Sequence, residues 1–105
     1  MNTSRQEQFD IIMVICEEAI NIKSDYKLVD DASQALTDTG VDSLDFITVF
    51  IYMGDIWGIS DDDFNNHPDI SPEPPRPLLI EDILNCINEV HTLDPTKDEA
   101  INQVL

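Results

Sequence analysis

The chain has 105 residues, 42% of them hydrophobic, and its 22 acidic side chains against 5 basic ones give a formal charge of −17. Such a field repels nucleic acid and anionic membrane surfaces and favours partners with basic patches, so nucleic-acid binding is set aside. The length suits one domain over residues 1–105, with enough apolar content for a modest core that needs neither a metal nor a disulfide.

No apolar run approaches a membrane span, and the first residues lack the basic start and apolar block of a secretory signal. A monomeric cytoplasmic protein without a membrane-spanning segment is expected. Cys16 and Cys86 are far apart, each within an apolar periodic stretch, and read as buried free thiols, with a disulfide or metal pair as the other reading. His67 and His91 have no ligand-like spacing to either cysteine or to each other, so no catalytic or metal role is assigned to them.

Ser4-Arg5-Gln6-Glu7 has the form of a capping box, and Phe9, Ile12, Met13, Cys16 and Ile20 follow at helical spacing. This predicts a first helix over about 6–20. Residues 21–41 read as a long polar connection, anchored onto the bundle by Tyr26, Leu28, Val29, Ala32 and Leu36. The connection ends in Thr39-Gly40-Val41-Asp42-Ser43-Leu44-Asp45. Gly40 can take a positive φ, Asp42 is a good N-cap, and Ser43 falls at the first position of the next helix. A hydroxyl is therefore presented at the positive end of a helix dipole, where unpaired backbone N–H groups would favour an attached phosphate.

The segment from Phe46 to Met53 is β-branched and aromatic enough to read as a strand. At about 100° per residue, however, Phe46, Val49, Phe50, Met53 and Trp57 share one sector, which predicts a helix over 43–57 with Gly58 as its stop. Asp61-Asp62-Asp63-Phe64 reads as a short helical turn. Residues 65–77 hold five of the six prolines and are predicted to be an irregular extended loop. Leu79, Ile80, Ile83, Leu84, Ile87 and Val90 then predict a helix ending near His91. Asp94-Pro95 is expected to cap a further C-terminal helix, whose apolar edge is Ala100, Ile101, Val104 and Leu105.

Two other chemistries do not fit the pattern. A serine-hydrolase elbow is Gly-x-Ser-x-Gly after a strand, and Leu44-Asp45 breaks that pattern. The acidic run 61–63 lacks the alternating ligands, central glycine and terminal glutamate of a calcium loop, and reads as a solvated acidic face.

Gly40-Val41-Asp42-Ser43-Leu44-Asp45 resembles the Gly-Ala-Asp-Ser-Leu-Asp of the acyl carrier protein family. Asp31-Ala32-Ser33 and Ile59-Ser60-Asp61-Asp62-Asp63 resemble that family's Asn-Ala-Ser and Ile-Pro-Asp-Glu-Glu. The resemblance covers a core of about 5–92, leaving the Pro-rich loop 65–77 as its weakest part and 93–105 as an extension. It implies an all-α, acyl-carrier-like bundle of three long helices and one short helix, with the C-terminal helix added. It also implies a 4′-phosphopantetheine arm, taken from coenzyme A by a phosphopantetheinyl transferase and attached to Ser43 between Asp42 and Leu44. Acyl groups would ride on the arm as thioesters to acyl-loading, acyl-transfer or synthase enzymes of fatty-acid, lipid or polyketide-type synthesis, and the chain itself would be no enzyme.

The other readings are an aminoacyl or peptidyl carrier, a non-catalytic interaction protein of the same fold without the arm, and a divalent-ion-binding regulator. Two departures point to a specialised member. Thr39 stands where the family commonly has leucine, and the helix after Ser43 has only Asp42, Asp45 and Asp55 where the housekeeping carriers are rich in glutamate. The large Phe46, Phe50, Met53 and Trp57 imply a smaller or differently shaped acyl cavity.

A second stripe on the 43–57 helix, Leu44, Ile47 and Ile51, lies roughly 130° from the core stripe. It is expected to be exposed and to dock partner enzymes, with Asp42, Asp45 and Asp55 steering their basic patches. The bland reading is that the connecting loop or the C-terminal helix covers it.

Overall fold

The computed structural model describes residues 1–21, 27 and 29–105; the expected anchors Tyr26 and Leu28 lie outside them. Five α-helices follow in order: α1 Arg5–Ala19, α2 Ser43–Trp57, α3 Asp61–Asn65, α4 Ile80–Val90 and α5 Lys97–Val104. A 3-10 turn at Leu36–Thr39, which the sequence did not suggest, precedes α2. There is no strand among the described residues. The nearest approach to one is an isolated antiparallel bridge between Ala35 and Leu79, flanked by Leu36 N–H to Leu78 C=O at 2.9 Å and Ile80 N–H to Gln34 C=O at 3.0 Å.

α1 is the central helix. Ser4 Oγ accepts from Glu7 N–H at 3.1 Å while the Glu7 carboxylate accepts from Ser4 N–H at 3.0 Å, so two donors that the helix start leaves over are satisfied reciprocally. Phe9, Ile11, Ile12, Met13, Ile15 and Cys16 are all buried. A helix apolar on most of its circumference must be enclosed, and α1 packs against α2, α4 and α5 together. That enclosure is why the β-branched run at 11–15 is helical: packing outweighs local propensity.

α2 ends at Gly58, whose N–H bonds to the Gly54 carbonyl and whose φ of 63° turns the next N–H, that of Ile59, back to the same oxygen at 3.1 Å. The segment after α4 completes this end, with Thr92 and Leu93 N–H both donating to Trp57 C=O, at 2.9 and 3.0 Å. The buried face of α2 is Val49, Met53, Ile56 and Trp57, while Phe46 and Phe50 are only half-buried. The expected stripe is thus rotated by about one residue position, because Phe50 stacks on the buried Phe64 of α3 with ring centroids 5.3 Å apart and lies at the side of the core.

In α4, Ile80, Ile83, Leu84, Cys86 and Ile87 are buried. The Pro-rich loop is not extended throughout. His67 C=O accepts from Ile70 and Ser71 N–H at 3.1 and 3.0 Å, forming a turn at its start. At its far end Arg76 grips Asp82 of α4.

The C-terminal segment is a packed helix, capped differently from the expectation. Thr96 Oγ1 accepts from Glu99 N–H at 3.3 Å and the Glu99 carboxylate accepts from Thr96 N–H at 3.0 Å. Asp94 instead receives Asn2 N–H at 2.8 Å, and its carbonyl receives the Asn2 amide at 2.7 Å. The Thr96-x-x-Glu99 box satisfies two donors, whereas a cap at Asp94 would have Lys97, which cannot accept, in the place of Glu99, so the helix starts two residues later. Ala100 and Val104 are buried against α1 and α2, whereas Leu105 is exposed. No helix among the described residues is long and apolar enough to cross a membrane.

Candidate functional site

The approach to Ser43 is built from short-range hydrogen bonds. The 3-10 turn closes with Gly40 N–H on Thr37 C=O at 3.0 Å, and Gly40 then takes φ 97°, a conformation that favours glycine. Val41 is buried. Asp42 is extended and caps α2, its Oδ1 accepting from Leu44 and Asp45 N–H, both at 3.0 Å. Asp45 Oδ2 accepts in turn from Asp42 N–H at 3.1 Å.

Ser43 is exposed at the first position of α2. The expected cradle of unpaired first-turn amides is not there in full, because the Asp42 carboxylate already occupies the N–H groups of Leu44 and Asp45. A phosphate on Ser43 would feel the helix dipole, yet would have to point outward, away from the Asp42 charge.

Leu44, Ile47 and Ile51 are 74%, 59% and 58% exposed and share one face of α2. Neither the described residues of the connecting loop nor α5 covers them. Asp42 and Asp55 are exposed beside this face. Asp45, expected at its rim, is only 8% exposed, since its carboxylate turns back into the capping box. The structure therefore brings Ser43, Asp42, Leu44, Ile47 and Ile51 together along α2, with Asp55 further along and Asp45 withdrawn.

A half-open recess of about 470 Å³ lies along α1, lined by Phe9, Met13, Val14, Val29 and flanking acids. None of its lining residues belongs to α2, which separates it from the helix bearing Ser43.

His67, Asp69 and Glu89 form a cluster that the sequence did not reveal, with one potential ligand atom from each within 4.8 Å of the others. Sequence spacing could not have found it, because the turn at 67–71 and the packing of α4 create it. His67 is buried, its Nδ1 accepts from Asp69 N–H at 3.1 Å and its Nε2 pairs with Glu89. A ring nitrogen that accepts a backbone N–H is unprotonated, so in the neutral ring Nε2 carries the proton and donates a hydrogen bond to the Glu89 carboxylate. Binding an ion at Nε2 would move that proton to Nδ1, against the Asp69 N–H. The cluster reads as a strut that fastens the loop to α4. His91 is likewise engaged, donating from Nδ1 to Ile87 C=O at 3.0 Å.

Comparison with family models, with curated proteins and with solved structures finds no match.

Proposed function

We propose that the protein is an acyl carrier whose 4′-phosphopantetheine arm is attached to Ser43. The observation that carries this reading is the exposed Ser43 hydroxyl at the first position of α2, beside the uncovered stripe of Leu44, Ile47 and Ile51, within a sequence that resembles the family's attachment motif. In the loading step Ser43 Oγ would attack the phosphorus of coenzyme A that bears pantetheine. The new O–P bond forms as the bond to adenosine 3′,5′-bisphosphate breaks, and the hydroxyl proton leaves to a base of the transferase. Ser43 needs no activating group of its own, in keeping with histidines engaged elsewhere. The thioester chemistry would belong to the arm and to partner enzymes.

The stripe supports a docking role on energetic grounds. Full burial of a large aliphatic side chain is worth about 1.5–3 kcal/mol, so three such residues left mostly in water retain a gain realised only against another surface. Exposed Asp42 and Asp55 and the charge of −17 fit partners with basic patches, through an association that weakens with salt.

One observation favours the arm-free interaction protein: Asp42 takes two of the amides that would otherwise attract the phosphate. Incubation with coenzyme A and a broad-specificity phosphopantetheinyl transferase, followed by intact-mass and peptide analysis, separates the two. The carrier gains one arm on Ser43 and Ser43→Ala gains none. Wild type left unmodified by a transferase active on a control carrier, or an arm mapped to Ser33, Ser60 or Ser71, sinks the carrier reading.

A further inference from the structure

Thr39, where the resembling family commonly has leucine, is fully buried four residues before Ser43. Its hydroxyl donates to Leu36 C=O at 2.7 Å and accepts from Val41 N–H at 3.4 Å, and its carbonyl accepts from Lys27 N–H at 2.9 Å. One side chain thus joins the 3-10 turn to the backbone that leads into the cap of α2. A leucine would fill the space and keep the backbone bond from Lys27 N–H, but it would make neither bond of the hydroxyl.

From these bonds we infer that Thr39 is a positioning residue for the modification of Ser43, its buried hydroxyl fixing the register at which α2 begins. This rests on the carrier reading. Gly40 follows Thr39 at φ 97° and carries no side chain to hold the chain in place, so the path from α1 to Asp42 depends on anchors at either side of it. On the near side is the Thr39 hydroxyl. On the far side Val41 N–H bonds back to that same oxygen. Removing the hydroxyl leaves Val41 N–H and Leu36 C=O to find other partners in a buried site, and the shift is passed to Asp42. Asp42 and Asp45 cap each other, so displacing Asp42 loosens both halves of the box and lets the first turn, with Ser43, depart from one geometry. In-line attack on phosphorus is sensitive to such displacement, while docking through Leu44, Ile47 and Ile51 is less so.

The test compares wild type, Thr39→Val and Thr39→Ser, with Thr39→Ala replacing the valine variant if that one does not fold. Transferase kcat and carrier KM are measured below the melting transition, and amide hydrogen exchange is followed at Val41–Asp45 against α4. Thr39→Val is expected to lose kcat by about fivefold or more with a KM change under about twofold, as misplacement of a reacting group predicts. Exchange at Val41, Leu44 and Asp45 should quicken selectively, and Thr39→Ser should restore both. A wild-type kcat in Thr39→Val, or a Thr39→Ser as impaired as Thr39→Val, overturns the positioning role. If wild type itself takes no arm, the carrier reading fails, and the exchange comparison alone then decides whether Thr39 fixes the start of α2: unchanged exchange overturns it.

Discussion

Arg76 holds the Asp82 carboxylate with two hydrogen bonds, Nη1 to Oδ2 at 2.7 Å and Nη2 to Oδ1 at 3.0 Å, while Asp82 Oδ2 also accepts from Leu79 N–H at 2.9 Å. One carboxylate thereby caps α4 and ties down the end of the Pro-rich loop. Burial alone would push the Asp82 carboxyl up. The Arg76 hydrogen bonds, the Leu79 N–H and the guanidinium charge outweigh this and hold it below the usual carboxylate range.

A carboxylate depressed on folding contributes stability that is present above its unfolded pKa, about 3.9, and is lost as pH falls through the lower folded value. Arg76→Ala is expected to destabilise the protein modestly at neutral pH, because the Arg76 side chain is 42% exposed and solvent weakens its hold on Asp82. The deficit should shrink below about pH 3.9 as Asp82 protonates. Urea melts at neutral and acidic pH check this, and a deficit that is the same at both would remove the ion pair as its cause.

Cys16 and Cys86 are pushed up to about 12 by burial, with Glu89, Asp69 and Asp63 adding to the effect at Cys86. Neither thiol should react at pH 8 with an aromatic disulfide reagent except through unfolding, whereas both should react at once in guanidinium. A thiol raised on folding contributes stability that is complete below its unfolded pKa of about 8.5 and is lost as pH rises towards the folded value. The protein should therefore lose stability between about pH 8.5 and 12. Rapid stoichiometric labelling of the native protein would contradict the burial.

Gly58 ends α2 at φ 63°, and a Cβ placed there would lie 2.2 Å from Thr92 Oγ1 and 2.8 Å from Leu93 Cγ. Gly58→Ala combines backbone strain with a clash in the segment that binds Trp57 C=O. It should destabilise by more than about 1 kcal/mol, the usual scale for alanine at a left-handed position. Thermal melting measures it, and an unchanged midpoint would mean that the 92–93 segment moves aside freely.

Ile47→Ala and Ile51→Ala should each leave stability within about 0.5 kcal/mol of wild type, as exposed substitutions usually do. Both should slow modification or acyl transfer. Phe50→Ala should cost about 1–3 kcal/mol, less than for a fully buried phenylalanine, because the ring is half-buried against Phe64. Melting and transferase kinetics on the three variants test the pattern. A strongly destabilised Ile51→Ala with normal transfer per folded molecule would remove the docking surface.

What the sequence by itself determined is local. The Ser4–Glu7 box, the Gly58 stop and the outward stripe of α2 follow from residue types at fixed offsets, because capping and amphipathic periodicity act within one or two turns of chain. The exposed Ser43 after an Asp42 cap was legible for the same reason. Tertiary structure decided the rest. The capture of the first-turn amides by Asp42 and the withdrawal of Asp45 depend on side-chain rotamers, which a capping motif permits without dictating. The half-burial of Phe46 and Phe50 depends on where α3 places Phe64. The His67–Asp69–Glu89 strut and the link from Arg76 to Asp82 join residues that differ in element or lie apart in the chain. No periodicity announces such pairs, because the course of the 67–76 loop and its seating on α4 bring them within reach.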